Sequence, residues 1–193
     1  MTPGSLLQKI IYRLLKFYNR KPGGLVIAKP AGSGLKSNAS FYDLKINDID
    51  GGELNFQSFR GKKVLLVNTA SECGYTGQYA DLEKLYNQYK NTVVVAGFPS
   101  NNFGKQEPGT NREIKQFCID SYHVSFPLSE KITVTGHNVH PVYRWLTDSS
   151  LNGWNDKQPR WNFCKYLVDE QGELVCFYSE KTNPFDKAIL KRL

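Results

Sequence analysis

Histidine is scarce in this chain of 193 residues, with three in all, and cysteine nearly so, with four. Cys73, Cys118, Cys164 and Cys176 form no C-x-x-C pair, so neither a zinc knuckle nor a dithiol motif is present. Their wide spacing is also unlike a small disulfide scaffold, and a reduced, cytoplasmic protein is the expectation. His137 and His140 have no third ligand nearby, so no metal and no other cofactor is expected. Long apolar runs are missing, which leaves no membrane span and no secretory h-region. Internal repeats are absent too. Acidic residues are missing from the first 42 positions, where Lys9, Arg13, Lys16, Arg20, Lys21, Lys29 and Lys36 supply the whole net charge of +7. The remainder carries 18 basic residues against 18 acidic ones, and a balanced body argues against nucleic-acid binding.

What is present is a chain with 40% hydrophobic and 13% aromatic residues, enough for one domain with a real core. Residues 1–39 read as a separate basic arm and linker. Leu6, Leu7, Ile10, Ile11, Leu14, Leu15 and Tyr18 recur at helical spacing among basic residues, so residues 5–21 form an amphipathic helix suited to loose peripheral contact with an anionic membrane surface. A Gly-, Pro- and Ser-rich stretch then reads as linker. The domain proper spans 40–193. Phe41 to Phe56 around Asp50-Gly51-Gly52 predicts a small hairpin. Val64–Val67 and Thr92–Phe98 predict buried strands, with a helix between them. Thr110 and Glu113 form a capping box opening the next helix, and Lys131–Thr135 predicts a third strand. Phe163–Val168 and Leu174–Tyr178 predict a closing hairpin, and Asn183-Pro184 the start of a C-terminal helix. The order is that of an α/β, thioredoxin-like fold: a central mixed sheet flanked by helices, with an extra N-terminal β-hairpin.

Chemistry concentrates at the ends of those strands. Cys73 leaves the first central strand near a helix N-terminus, where backbone N–H groups favour the thiolate. Thr76 stands where the second cysteine of a dithiol motif would be, which removes disulfide exchange within the turn. Gln106 lies in the loop after the second strand, and Trp161 and Asn162 precede the closing hairpin. Amide and indole donors do not titrate, and they suit a site that must hold a thiolate and a departing oxygen.

Three segments, C-G-Y-T after L-L-V-N-T-A-S, then F-P-S-N-N-F-G-K-Q-E-P-G, then R-W-N-F, resemble in order and spacing the signatures of the glutathione peroxidase family, over residues 41–193, about four-fifths of the chain. The resemblance implies a catalytic tetrad of Cys73, Gln106, Trp161 and Asn162, with Cys73 as the peroxidatic residue. It implies reduction of hydrogen peroxide or organic hydroperoxides through a cysteine sulfenic acid, with glutathione or thioredoxin as reductant. A peroxide-sensing relay that passes oxidation to a partner protein is the alternative. Cys73 stands where the best-known vertebrate members carry selenocysteine. Ser100 and Asn102 replace the Cys and Gln usual in the second signature. In thioredoxin-dependent relatives a resolving cysteine lies in the helix before F-P. Matching through Phe126-Pro127 puts that position at Ile119, one residue and about 100° of helix rotation from the candidate resolving thiol, Cys118. The short connection before His140 lacks a long assembly loop, which favours a monomer.

Overall fold

The computed structural model describes residues 24–193; the amphipathic segment at 5–21 lies outside the described residues. Five strands make one sheet: β1 (Val26–Ala28), β2 (Lys63–Thr69), β3 (Val93–Pro99), β4 (Lys165–Val168) and β5 (Leu174–Tyr178), in the order β1-β5-β4-β2-β3. β2 and β3 pair in parallel, while β2–β4, β4–β5 and β1–β5 are antiparallel. The mixed sheet and flanking helices are those of a thioredoxin-like fold.

β2 is central because its apolar run is buried on both faces. Val64 and Leu66 enter one core, with Phe41, Phe56, Tyr143, Trp145, Tyr166 and Phe177. Leu65 and Val67 enter the other, with Leu82, Leu85, Ile114, Leu167 and Cys176. At about 1.5–3 kcal/mol for each fully buried aliphatic side chain, this strand is a firm base for whatever leaves its end. Helices α1 (Gln78–Tyr89) and α2 (Asn111–Tyr122) cover the second face; α3 (Pro141–Leu146) and α4 (Ser149–Asn152) lie against the first. The predicted capping box opens α2: Glu113 N–H donates to Thr110 Oγ1, and Thr110 N–H donates to the Glu113 carboxylate. His140 caps α3 through Nδ1.

Four readings change. The segment read as linker supplies β1, whose Val26, Ile27 and Ala28 pair with Tyr178, Phe177 and Cys176. The N-terminal hairpin is minimal: one antiparallel bridge joins Asn47 to Glu53, with the Asp48 carboxylate closing the turn on the N–H groups of Asp50 and Gly52. Residues 131–135 are not a strand. Ile132 N–H goes to the carbonyl of Pro99 at the very end of β3 and Val134 N–H to Asn102 Oδ1 in the loop beyond, and the bridge to β3 is made earlier, by Leu128. The last helix, α5 (Lys187–Leu190), is capped by Asp186 rather than opened by Asn183.

Candidate active site

Three separate segments meet at the carboxyl end of β2. Ser100 N–H donates to the Thr69 carbonyl at 3.0 Å, which keeps the loop after β3 beside the turn after β2. Glu72 N–H donates to the Gln106 carbonyl at 3.0 Å and sets that loop next to Cys73. Asn68, the amide in β2, reaches across to the segment before β4. Its Nδ2 donates to the Trp161 carbonyl at 2.9 Å, and its own carbonyl accepts from Phe163 N–H at 2.6 Å. Phe163 adopts a left-handed φ of 67° and is fully buried, so the chain turns sharply just after Asn162.

Cys73 does not sit on the helix. α1 begins at Gln78, and Cys73 lies in the turn ahead of it, 8% exposed. Thr76 Oγ1 accepts from Cys73 N–H at 3.0 Å and donates to the Ala70 carbonyl at 2.9 Å, so the threonine in the dithiol position braces the turn. The sulfur accepts from Tyr75 N–H at 3.4 Å. Burial pushes the thiol pKa up; the Tyr75 N–H and the Asn162 and Trp161 side chains facing the sulfur pull it back down, and the negative charge of Glu180 adds a smaller upward push. The net direction is upward, because burial outweighs the donors that favour the thiolate. The groups that favour the thiolate are neutral donors: the Tyr75 N–H and the Asn162 and Trp161 side chains.

Gln106 joins this group through Asn162: its Oε1 accepts from Asn162 Nδ2 at 2.9 Å. Asn162 is fully buried, and Trp161 is half-buried with its ring 6.0 Å from Phe103. Gly104 keeps the loop close, with φ of 62° and space for a Cβ bounded by the Gln106 side chain at 3.4 Å. Cys73, Gln106, Trp161 and Asn162, distant in sequence, thus form one cluster, with Trp161 and Asn162 facing the sulfur and Gln106 joined to it through Asn162.

A sequence model described as glutathione peroxidase matches residues 41–147. The chain is 48% identical over 145 residues to a glutathione peroxidase-like peroxiredoxin of Schizosaccharomyces pombe, covering 75% of this chain and 91% of that protein. It belongs to the glutathione peroxidase family. A hydroperoxy fatty acid reductase of Synechocystis is 44% identical over 157 residues, covering 77% of this chain and 92% of that one. The crystal structure of Trgpx in its apo form superposes with a TM-score of 0.60 at 35% identity, over 80% of this chain and 93% of that one.

Within this glutathione peroxidase family member the other sequence candidates fall into place differently. Cys118 is fully buried, in the same core cluster as Cys73 and Ile114, and burial drives its pKa up to about 12. Ile119, the adjacent residue, is 41% exposed. The departures at Ser100 and Asn102 serve structure, since Ser100 Oγ donates to Asn102 Oδ1 at 2.8 Å and Asn102 holds residues 134 and 135. Among the described residues no group of three or more His, Cys, Asp and Glu is placed to hold a metal.

Supporting residues escaped the sequence reading. Asn68 is one, and the bracing role of Thr76 is another. Lys165 is a third: fully buried, its Nζ donates to Gln78 Oε1 at 2.5 Å, the Thr182 carbonyl at 2.6 Å and the Phe163 carbonyl at 2.9 Å. Burial draws its pKa down to about 7, against the upward pull of Cys164, Glu180, Asp81 and Asp186. The available signal was a polar side chain inside an apolar strand run, at V-N-T and at C-K-Y.

Proposed function

We propose that Cys73, Gln106, Trp161 and Asn162 are the catalytic group through which this chain works as a thiol-dependent peroxidase. The enzyme reduces hydroperoxides. Cys73 thiolate attacks one peroxide oxygen, the O–O bond breaks, and the departing oxygen takes a proton to leave as water or an alcohol, with Cys73 as sulfenic acid. Asn162 and Trp161 stabilise the thiolate, while Gln106 orients Asn162 through the 2.9 Å bond. A thiol then attacks the sulfenic sulfur, releasing water and forming a mixed disulfide, and a second thiol returns Cys73 to its reduced state.

The observation that carries this reading is that the Trp161 and Asn162 side chains face the Cys73 sulfur, with Gln106 bonded to Asn162. Glutathione or thioredoxin is the thiol donor of this proposal, and a reducing, cytoplasmic setting accords with all four cysteines being free thiols. No helix among the described residues is long and apolar enough to cross a membrane. The test is peroxide-dependent turnover with glutathione and, separately, with thioredoxin. Cys73→Ser is expected to abolish both, and retained turnover in that variant would refute the assignment.

A further inference from the structure

Behind the Cys73–Gln106 face lies a second set of polar side chains that the chemistry above leaves unused. Gln106 faces Asn162, but its neighbour Glu107 faces the other way, into the protein, and is fully buried. Its N–H donates to Asn101 Oδ1 at 2.9 Å, which fixes the backbone. Neither carboxyl oxygen closes a hydrogen bond, and neither do the buried hydroxyls of Thr69, Ser71 and Tyr79. The hydroxyl and the N–H of Ser71 both face the carboxyl.

The charged and titratable neighbours come from every surrounding element. Glu72 is in the turn, Tyr79 on α1, Cys118 on α2 and Lys131 beyond α2. Burial holds Tyr79 and Cys118 neutral. Lys131, the nearby cation, directs Nζ at backbone carbonyls instead: Gly109 at 2.5 Å, Glu107 at 3.3 Å and Pro108 at 3.4 Å. Its three N–H donors are thereby taken. An ionised Glu107 therefore has no ion-pair partner in the interior, and Glu72 adds like charge. Burial pushes the Glu107 pKa up to about 7, against the opposing pull of Ser71 and Lys131.

Position gives this group leverage. Ser71 is two residues before Cys73, Glu107 is one after Gln106, and the two strands of loop are tied by the Glu72 N–H to Gln106 carbonyl bond. We propose that Glu107 is a titratable positioning residue: protonated, it holds the Ser71–Cys73 turn against the Gln106 loop from behind, and ionised it releases that grip. A neutral carboxyl has an O–H for the hydroxyl acceptors around it and a carbonyl oxygen for Ser71. A carboxylate there must gain solvent, and the loop that moves to admit it carries Gln106.

The proposal rests on Cys73 being the peroxidatic thiol, so its test separates the two. In the full chain, the rate of Cys73 oxidation by hydrogen peroxide is measured from about pH 6 to about pH 8.5, spanning the Glu107 ionisation. Each rate is divided by the thiolate fraction, read from alkylation of Cys73 by mass spectrometry. In the wild type this ratio is expected to fall about fivefold or more as Glu107 ionises. Glu107→Gln, which cannot ionise, is expected to lose the step. A flat wild-type ratio, or the same fall in Glu107→Gln, would overturn the proposal. An independent readout needs neither turnover nor a folded variant: the carboxyl carbon resonance of Glu107 in the wild type. Titration near neutral supports the proposal, and full ionisation in the ordinary carboxylate range refutes it. Failure of Cys73→Ser to abolish turnover would refute the assignment of the thiol while leaving that resonance to be read on its own.

Discussion

Asn68 ties the last turn of one catalytic segment to the strand that launches another, through a bond of 2.9 Å to Trp161 and one of 2.6 Å from Phe163. Its side chain is fully buried, so truncation leaves the Trp161 carbonyl without its donor. Asn68→Ala is expected to cost about 1–3 kcal/mol in urea unfolding and to slow Cys73 oxidation by stopped-flow. Unchanged oxidation in a destabilised protein would mean that the bond supports the fold alone. Cys118 points to the opposite expectation. Burial, which pushes its pKa up to about 12, keeps the Cys118 thiol protonated while it stays in the core. Cys118→Ala is accordingly expected to keep peroxide turnover within about twofold with either reductant, at temperatures where it stays folded. A collapse of thioredoxin-dependent turnover alone would show that α2 opens to release it. At this scale the sequence singled out the four side chains that the structure brings together, because cysteine, tryptophan and amides near strand ends are chemically conspicuous. It was silent on Asn68, Glu107 and Lys165, whose roles consist of hydrogen bonds or close approaches to partners remote in the chain, and on the bracing bonds of Thr76.

Among the elements, legibility followed the strength of the local signal. β2 and β3 are apolar runs buried whole, and α2 carries its start in a capping box, so their existence and type were plain. Lys131–Thr135 resembles a strand but finds no continuous partner, because Leu128 and Ser129 take the bridges first. β1 was hidden for the converse reason. Three residues among glycines and prolines form a strand only because β5, about 150 positions later, offers an edge. Its contacts include Lys29 N–H to the Val175 carbonyl at 2.9 Å and a Lys29–Glu173 ion pair at 3.2 Å. Deleting residues 1–23 leaves all of these in place, whereas deleting 1–38 removes them. The longer deletion is expected to lower the thermal midpoint by several degrees relative to the shorter one, measured by circular dichroism. Equal midpoints would show that β1 adds nothing to the folded domain.

At the scale of the molecule, the sheet divides the labour. One face is packed with aromatic rings, Phe41 against Phe56 and Trp145, Tyr166 against Phe177 and Tyr143, and contributes rigidity. The other face carries Cys73, Tyr79 and Phe163 and opens at its rim to the site. The basic excess belongs to the first 42 residues, so the reacting domain meets its substrate without a strong overall field. Thr76, which braces the turn with its hydroxyl, also decides the fate of the oxidised enzyme. With threonine in the dithiol position and Cys118, Cys164 and Cys176 all fully buried, no solvent-exposed thiol stands among the described residues to resolve a sulfenic acid on Cys73. Its lifetime is then set by the supply of external reductant, and a second peroxide competes for the same sulfur. When reductant runs short, over-oxidation to the sulfinic acid is the open route, and the enzyme's exposure to irreversible loss grows with the very stress it removes.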